Sequence, residues 1–231
     1  MKTLVRLVLQ LSALLCAGAI SAHAFEGTVH MTISNGQGET HQLAYSLKNG
    51  LTRIDINVSD NRTASAILDL AKDEMIVLMP GQPFYMTMSI KHSVEQAVGQ
   101  AADEVTLEKT AATTRILGYP CTKYLSKSKD GVTEIWATDQ LGGFSGLGNM
   151  LGGPRSRASK APGWEKAVVG KDFFPLRVIS SSSRNGNLSL EVTAVEPKSL
   201  PDSLFAPPPG SRKFDMGGMM PGMGGGNPME Q

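Results

Sequence analysis

Few side chains in this sequence are spaced for catalysis or for metal binding. His30, His41 and His92 lie apart, and no two of them have a spacing typical of metal ligands. Zinc-binding H-E-x-x-H, redox C-x-x-C and phosphate-binding P-loop motifs are all missing. The glycine-rich stretch that follows Gln140 approaches a dinucleotide fingerprint and a nucleophile elbow, but Leu151 and Leu147, respectively, replace a required glycine. We therefore expect a protein that is not an enzyme and that needs no cofactor.

One chemical signal lies in the C-terminal tail, residues 212–231, which is rich in glycine, methionine and proline. Its methionines follow the pattern M-x-x-M-M-x-x-M at Met216, Met219, Met220 and Met223. Thioethers are soft ligands that suit Cu(I), so copper binding through this tail is one alternative function. The same composition cannot build a packed core. We expect the tail to be disordered and to hold no ligand.

Residues 1–24 have the pattern of a secretory signal peptide. Lys2 and Arg6 give a positive start, an apolar stretch follows, and Ala22-His23-Ala24 forms an A-x-A cleavage site. The apolar stretch falls short of the ~20 residues that cross a membrane, so no stable membrane span is expected. We predict cleavage after Ala24 and a location in the periplasm or outside the cell. A lipid-modified Cys16 is the weaker alternative, because Leu15 stands directly before it, where such a site needs a small residue.

The composition of the remaining chain fits one domain over residues 25–211. With 41% apolar residues and a formal net charge of +1, the chain is too apolar for general disorder. Near-neutral charge also gives no long-range attraction to nucleic acid or to an anionic membrane. Cys121 is the one cysteine left after cleavage, which excludes an internal disulfide. Its thiol is either buried and inert or paired between chains, and burial is the commoner state of a free cysteine.

Strict alternation of apolar and polar residues dominates the chain after Glu26, and it predicts strands with one dry face. The clearest apolar sets are Val29, Met31 and Ile33; Ile54, Ile56 and Val58; Phe84, Met86, Met88 and Ile90; and Leu188, Leu190 and Val192. Asn49-Gly50, Asp130-Gly131 and Asn185-Gly186 are signals for tight hairpin turns between strands. The pattern predicts a mainly β (α+β) fold, in which about 10–11 antiparallel strands curl into a half-open barrel.

Two segments could cover the apolar side of such a sheet. Residues 93–105 have a capping-box spacing and several alanines, which predicts a helix. Residues 141–153 are rich in glycine but carry Phe144, Leu147, Met150 and Leu151. This second segment is either a mobile lid over a cavity or a poorly ordered loop that packs loosely.

Several short motifs along the chain carry a family resemblance. They are Phe25-Glu26-Gly27, the hairpin over 69–79, Gly118-Tyr119-Pro120-Cys121-Thr122-Lys123-Tyr124, Glu134-Ile135-Trp136-Ala137-Thr138, Phe174-Pro175-Leu176-Arg177, and Leu200-Pro201-Asp202-Ser203-Leu204-Phe205 before Pro207-Pro208-Pro209-Gly210. In this order they resemble a bacterial domain of unknown function, family 4412, over about residues 25–215. That family is similar to the lipoprotein carriers LolA and LolB. The resemblance implies a half-open antiparallel barrel whose helices and loops cover an apolar cavity, which holds acyl chains in the carriers.

These observations predict a cell-envelope binding protein that holds an acyl chain or an apolar peptide segment. A lipid or a lipoprotein acyl chain is the expected partner, nucleic acid is not, and the oligomeric state is open. The candidate cavity residues are Val29, Met31, Ile54, Ile56, Met86 and Met88, and the candidate lid residues are Phe144, Leu147, Met150 and Leu151. Each cavity residue could equally belong to a filled core. A structural or interaction module with such a core is therefore a further alternative, beside copper binding through the tail.

Overall fold

The structure, a computed structural model, describes residues 25–34, 38–59, 62–78, 81–91, 105–129, 131–147, 163–182 and 186–214. Three predicted segments lie largely or wholly outside the described residues. They are the signal peptide over 1–24, the helix over 93–105 except for Val105, and the tail beyond residue 214. The domain over residues 25–211 falls mostly within them.

A single sheet contains every strand that the structure describes. The strands are β1 (Gly27–Ser34), β2 (Thr40–Lys48), β3 (Leu51–Ser59), β4 (Arg62–Asp69), β5 (Glu74–Leu78), β6 (Phe84–Ser89), β7 (Thr106–Ile116), β8 (Tyr119–Ser128), β9 (Gly131–Thr138), β10 (Phe174–Ser182), β11 (Gly186–Pro197) and β12 (Arg212–Lys213). Their order across the sheet is β12-β6-β5-β4-β3-β2-β1-β11-β10-β9-β8-β7. All neighbours are antiparallel except the short pair β12 and β6.

The predicted curled antiparallel sheet is confirmed, with twelve strands instead of 10–11. The sheet is open, because β7 and β12 form its two edges and do not pair with each other. The helical elements that lie wholly within the described residues are α1 (Gly163–Val168) and a 3₁₀ turn (Asp202–Phe205), and residues 90–91 after β6 are also helical. Helix α1 packs against β8 and β7.

Residue alternation explains which side of the sheet forms the core. Val29, Met31 and Ile33 in β1 are almost completely buried, whereas the residues between them are polar. We call the side that carries Val29 the inner face and the opposite side the outer face. The hairpin between β2 and β3 forms at Asn49-Gly50 as predicted, with φ angles of 50° and 80°. A two-residue turn with positive φ matches the right-handed twist of the flanking strands.

The C-terminal segment after β11 crosses the outer face and packs over β3–β5. Leu200 and Phe205 bury Ile67 there, in a second and smaller apolar cluster. Lys48 fixes this segment, because its Nζ donates a hydrogen bond to the Leu200 carbonyl and lies 2.8 Å from an Asp202 carboxylate oxygen.

The end of the described chain changes one predicted boundary. Arg212 and Lys213, which the sequence places in the disordered tail, pair with Phe84 and Tyr85 of β6. The ring of Phe214 lies 5.4 Å from that of Phe84, measured between centroids. Backbone pairing and a ring contact outweigh the low complexity of the residues that follow, so the packed chain extends to Phe214.

Candidate functional site

Residues 141–147, which we call the plug, lie on the inner face and fill its middle. Leu141, Phe144 and Leu147 are each only 1% exposed. The Phe144 ring lies 5.5 Å from the rings of both Tyr45 and Phe174, measured between centroids. Three aromatic rings from β2, the plug and β10 therefore form one cluster at the centre of the core. Aromatic pairs at such distances add to the free energy gained from burial alone.

Three hydrogen bonds hold the plug in this position. The Ser145 backbone N–H donates to the Tyr45 hydroxyl at 2.8 Å, and the Ser145 hydroxyl lies 3.1 Å from that of Thr52. The Leu147 backbone N–H donates to a Glu165 carboxylate oxygen at 2.7 Å. Tyr45, Thr52 and Glu165 belong to β2, β3 and α1, so the plug ties the sheet to the helix.

Burial changes the acid–base chemistry of Tyr45. The side chain is completely buried, and the loss of solvation raises the pKa of Tyr45 to about 12. Its contacts with Ser145 and Thr52 act in the opposite direction and are weaker. A buried phenolate is costly because nothing replaces its hydration. Tyr45 is therefore neutral and holds the plug through its hydroxyl at every physiological pH.

Glycine is needed in the plug because neighbouring atoms approach its backbone closely. A Cβ at Gly143 would lie 3.0 Å from the Lys171 carbonyl oxygen. At Gly146, where φ is +90°, a Cβ would lie 2.9 Å from Glu165 Oε1 and 3.1 Å from a Val169 methyl. The glycines thus allow close packing in this part of the loop, which is seated on the sheet.

We expect Gly146→Ala to lower the free energy of unfolding by about 1–3 kcal/mol. The added methyl group would crowd Glu165 and Val169, and alanine is strained at a positive φ. Chemical denaturation measures the change. Gly142→Ala is the matched control, since Gly142 also has a positive φ, of 78°, but open space around its Cβ position. Equal losses in the two variants would mean that the Glu165 and Val169 contacts do not restrict the plug.

Helix α1 supplies the other side of this packing. Trp164 is 3% exposed, and its ring lies 6.1 Å from that of Phe144 between centroids. Its indole Nε1 is buried and has no hydrogen-bond partner in the part of the chain that the structure describes. Glu165 is 4% exposed and makes the bond to Leu147 described above. Helix α1 therefore holds the plug through one polar and one aromatic contact.

The predicted cavity residues separate into two groups. Val29, Met31, Ile54 and Ile56 are no more than 2% exposed and belong to the main core, which also includes Phe144. Met86 and Met88 lie on β6, near one end of the sheet. The structure therefore places the first four against a filled interior and the last two at its margin.

Apolar side chains at the β5–β6 end of the inner face are incompletely covered. Met75 and Val77 on β5 pair in register with Met88 and Met86 on β6. Met75, Val77 and Met86 are half-buried, while Met88 is 38% exposed. Leu68 on β4 pairs with Met75 and is only 4% exposed. We call Met75, Val77, Met86 and Met88 the methionine strip; it continues the buried inner face to a partly open end.

The remaining predicted site residues lie partly in the plug and partly outside the described residues. Phe144 and Leu147 of the predicted lid lie in the plug, whereas Met150 and Leu151 fall outside the described residues. The tail methionines Met216, Met219, Met220 and Met223 also fall outside them. Cys121 is 2% exposed, and burial raises the pKa of its thiol. Its reactivity as a thiolate is correspondingly low.

Two other kinds of site are missing from the described part of the chain. It has no group of three or more histidine, cysteine, aspartate or glutamate side chains that could hold a metal ion. None of its helices is both long enough and apolar enough to cross a membrane.

Sequence reasoning missed a groove on the outer face, with a volume of about 650 Å³. It lies over β3, β2, β1 and β11, and its lining includes His30, Gln42, Asp55, Asn57 and Glu196. The available signal was a pair of small residues, Ala44 and Ala194, at outward positions of two strands. Their importance emerges only when the register places them in one row across the sheet.

These features define a class of protein: an open, curled antiparallel sheet whose inner face is filled by a glycine-rich plug and is partly open at one end. The chain belongs to the family described as "Domain of unknown function (DUF4412)", whose profile matches residues 25–211. The predicted family is thus confirmed. No curated protein matches the chain in sequence.

Solved structures of similar shape are distant in sequence. An uncharacterized conserved protein from Thermus thermophilus has a TM-score of 0.48 and 10% identity, covering 82% of this chain and 90% of that one. PNGF-II has a TM-score of 0.46 and 19% identity over 84% of this chain, which spans 31% of the PNGF-II chain. A LolA superfamily protein from Nitrosomonas europaea has a TM-score of 0.34 and 11% identity, covering 79% of this chain and 90% of that one.

Proposed function

We propose that this chain is an exported, non-enzymatic binding protein of the cell envelope, and that the methionine strip holds the acyl chain of a lipid or lipoprotein. The observation that carries the proposal is the incomplete cover over the strip. Met88 is 38% exposed at the end of an inner face whose central residues are mostly apolar and buried. An apolar chain laid along β5 and β6 would complete this cover.

Methionine suits such a surface. Its side chain is unbranched, flexible and polarizable, so a row of methionines adapts to ligands of varied shape. Each methylene that leaves water contributes about 0.8 kcal/mol, so an acyl chain needs no polar contact for useful affinity. The plug occupies the central part of the same face, which restricts the ligand to the β5–β6 end.

The export part of the proposal rests on the pattern of residues 1–24, a positive start and an apolar stretch ending in Ala22-His23-Ala24. Periplasmic or secreted acyl chains must cross water between membranes, where an apolar surface on a carrier shields them.

Titration with a fluorescent long-chain fatty acid tests the site. We expect Met88→Glu to weaken binding by at least about tenfold, because a carboxylate at this position must lose its hydration against the acyl chain. Ile179→Glu is the matched control. Ile179 is 44% exposed, pairs with Glu134 across β9 and β10, and neighbours the inward Val178. This control should bind within about twofold of the wild type.

Equal affinity in the Met88→Glu variant would contradict the proposed site, provided that the unfolding curve of the variant stays unchanged. Weakening of both variants to the same degree would point to a non-specific effect of added charge. Loss confined to Met88→Glu would place the ligand on the methionine strip.

A further inference from the structure

The outer-face groove has a floor of short side chains. Ala194, His30, Ala44 and Asp55 are successive register partners across β11, β1, β2 and β3. In this row, two alanines flank His30, so only short side chains cover the sheet on both sides of the imidazole. A β-bulge between β1 and β11 follows His30, where Thr193 is the extra residue of β11. Bulges re-aim side chains and commonly occur beside binding sites.

The walls of the groove carry both hydrogen-bond donors and hydrogen-bond acceptors. Gln42 and Asn57 supply amides, Thr32 supplies a hydroxyl, and Asp55 and Glu196 supply carboxylates. Thr32 is half-buried and Gln42 is exposed, so both side chains are accessible from the groove. A ligand in the groove could bond to them in place of water.

The charged groups of the lining are already paired, which favours an uncharged ligand. Lysine and arginine are absent from the groove lining, and its two carboxylates belong to Asp55 and Glu196. Asp55 pairs with Arg53 at 2.9 Å. Glu196 pairs with Lys198 at 2.7 Å and lies 3.3 Å from His30 Nε2. Because these pairs leave no unpaired cation or carboxylate in the lining, a neutral ligand fits the groove best.

The position of the groove excludes the usual way of binding a peptide. Strands β1, β2, β3 and β11 are all paired on both sides within the sheet, so they have no free edge to which a peptide backbone could add. Recognition must come from side chains alone. Amide and carboxylate groups close to hydroxyls match the adjacent hydroxyl groups of a sugar ring, each of which both donates and accepts.

We propose that the outer-face groove binds a short, uncharged oligosaccharide. The two alanines let a sugar ring approach the sheet, and Gln42, Asn57 and Glu196 bond to its hydroxyls. The groove volume of about 650 Å³ lies within the usual range of small-molecule sites, about 300–1,000 Å³. Because the groove and the methionine strip lie on opposite faces, this site is independent of the proposed acyl-chain site.

Amide chemical shifts in two-dimensional NMR test the proposal, with maltotriose, cellotriose and chitotriose as neutral probes and trigalacturonate as the anionic probe. We expect at least one neutral probe to move the signals of Thr32, Gln42, Asn57 and Ala194, and trigalacturonate to leave them unchanged. Ala194→Met fills the floor and should raise the dissociation constant at least about tenfold. Ala194 is half-buried on the outer face, so the variant keeps the core intact.

Ser189→Met is the matched control, because Ser189 is an exposed residue of β11 outside the groove. It should bind within about twofold of the wild type. The proposal is overturned if no neutral probe moves the groove signals, if trigalacturonate moves them equally, or if Ala194→Met binds as the wild type does. A cationic peptide such as trilysine that binds the groove in place of all the sugars would also overturn it.

Discussion

Replacing Phe144 with alanine is expected to lower the free energy of unfolding by about 3–5 kcal/mol, the range measured for truncating a buried phenylalanine. Phe144 is 1% exposed and contacts the rings of Tyr45, Phe174 and Trp164. The loss combines the transfer of the ring to water with the cavity that its removal leaves. Urea denaturation of the variant and the wild type measures it.

Leu117→Ala is the control for Phe144→Ala, since Leu117 is 49% exposed in the turn between β7 and β8. Its effect should stay within about 0.5 kcal/mol, as is usual for surface positions. A loss below about 1 kcal/mol for Phe144→Ala would show that the plug is not part of the core. The plug would then act as a loosely packed loop, the alternative that the sequence leaves open.

The second large effect concerns stability in alkali. Tyr45 titrates with a pKa of about 12 in the folded chain and near its ordinary value of 10 in the unfolded chain. Between these values the unfolded chain loses the phenolic proton while the folded chain keeps it, so stability falls as pH rises. The contribution is complete below pH 10 and decreases by roughly 2–3 kcal/mol up to pH 12.

Tyr45→Phe isolates this contribution from the titration of other groups. At pH 8 the variant should be less stable than the wild type by about 1–3 kcal/mol, because the Ser145 N–H loses its acceptor in a buried position. Between pH 10 and pH 12 the difference should shrink, since phenylalanine has no proton to lose. A difference that stays constant over this range would mean that Tyr45 is not buried in the folded chain.

Much of the sheet could be predicted because local alternation reports burial directly. The strands containing Val29, Ile54 and Leu190 each have one buried face, and their apolar residues recur at every second position. β7 gave no such signal: it is an edge strand whose side chains are mostly exposed, and only Ile116 among them is buried. Without a dry face, a strand has no apolar period to detect. β2 carries Leu43, Tyr45 and Leu47 in alternation, so that strand was detectable.

The site was less predictable because it depends on contacts between residues that are distant in sequence. The sequence indicated that the apolar residues of 141–153 must be shielded from water, but the rings that Phe144 packs against belong to Tyr45 and Phe174 on separate strands. The outer groove depends on the register that aligns Ala44 with His30 and Ala194. Strands β1 and β11 are distant in sequence, so no short turn fixes their register, and the pairing of His30 with Ala194 depends on the whole fold.

We propose the methionine strip as the open, ligand-binding part of the inner face. NMR of the chain labelled with ¹³C at its methionine methyl groups, titrated with a long-chain fatty acid, tests this most directly. We expect the methyl signals of Met75, Met86 and Met88 to move together, while that of Met31, only 1% exposed in the core, does not move. Movement confined to Met216, Met219, Met220 and Met223, or no movement at all, would contradict it.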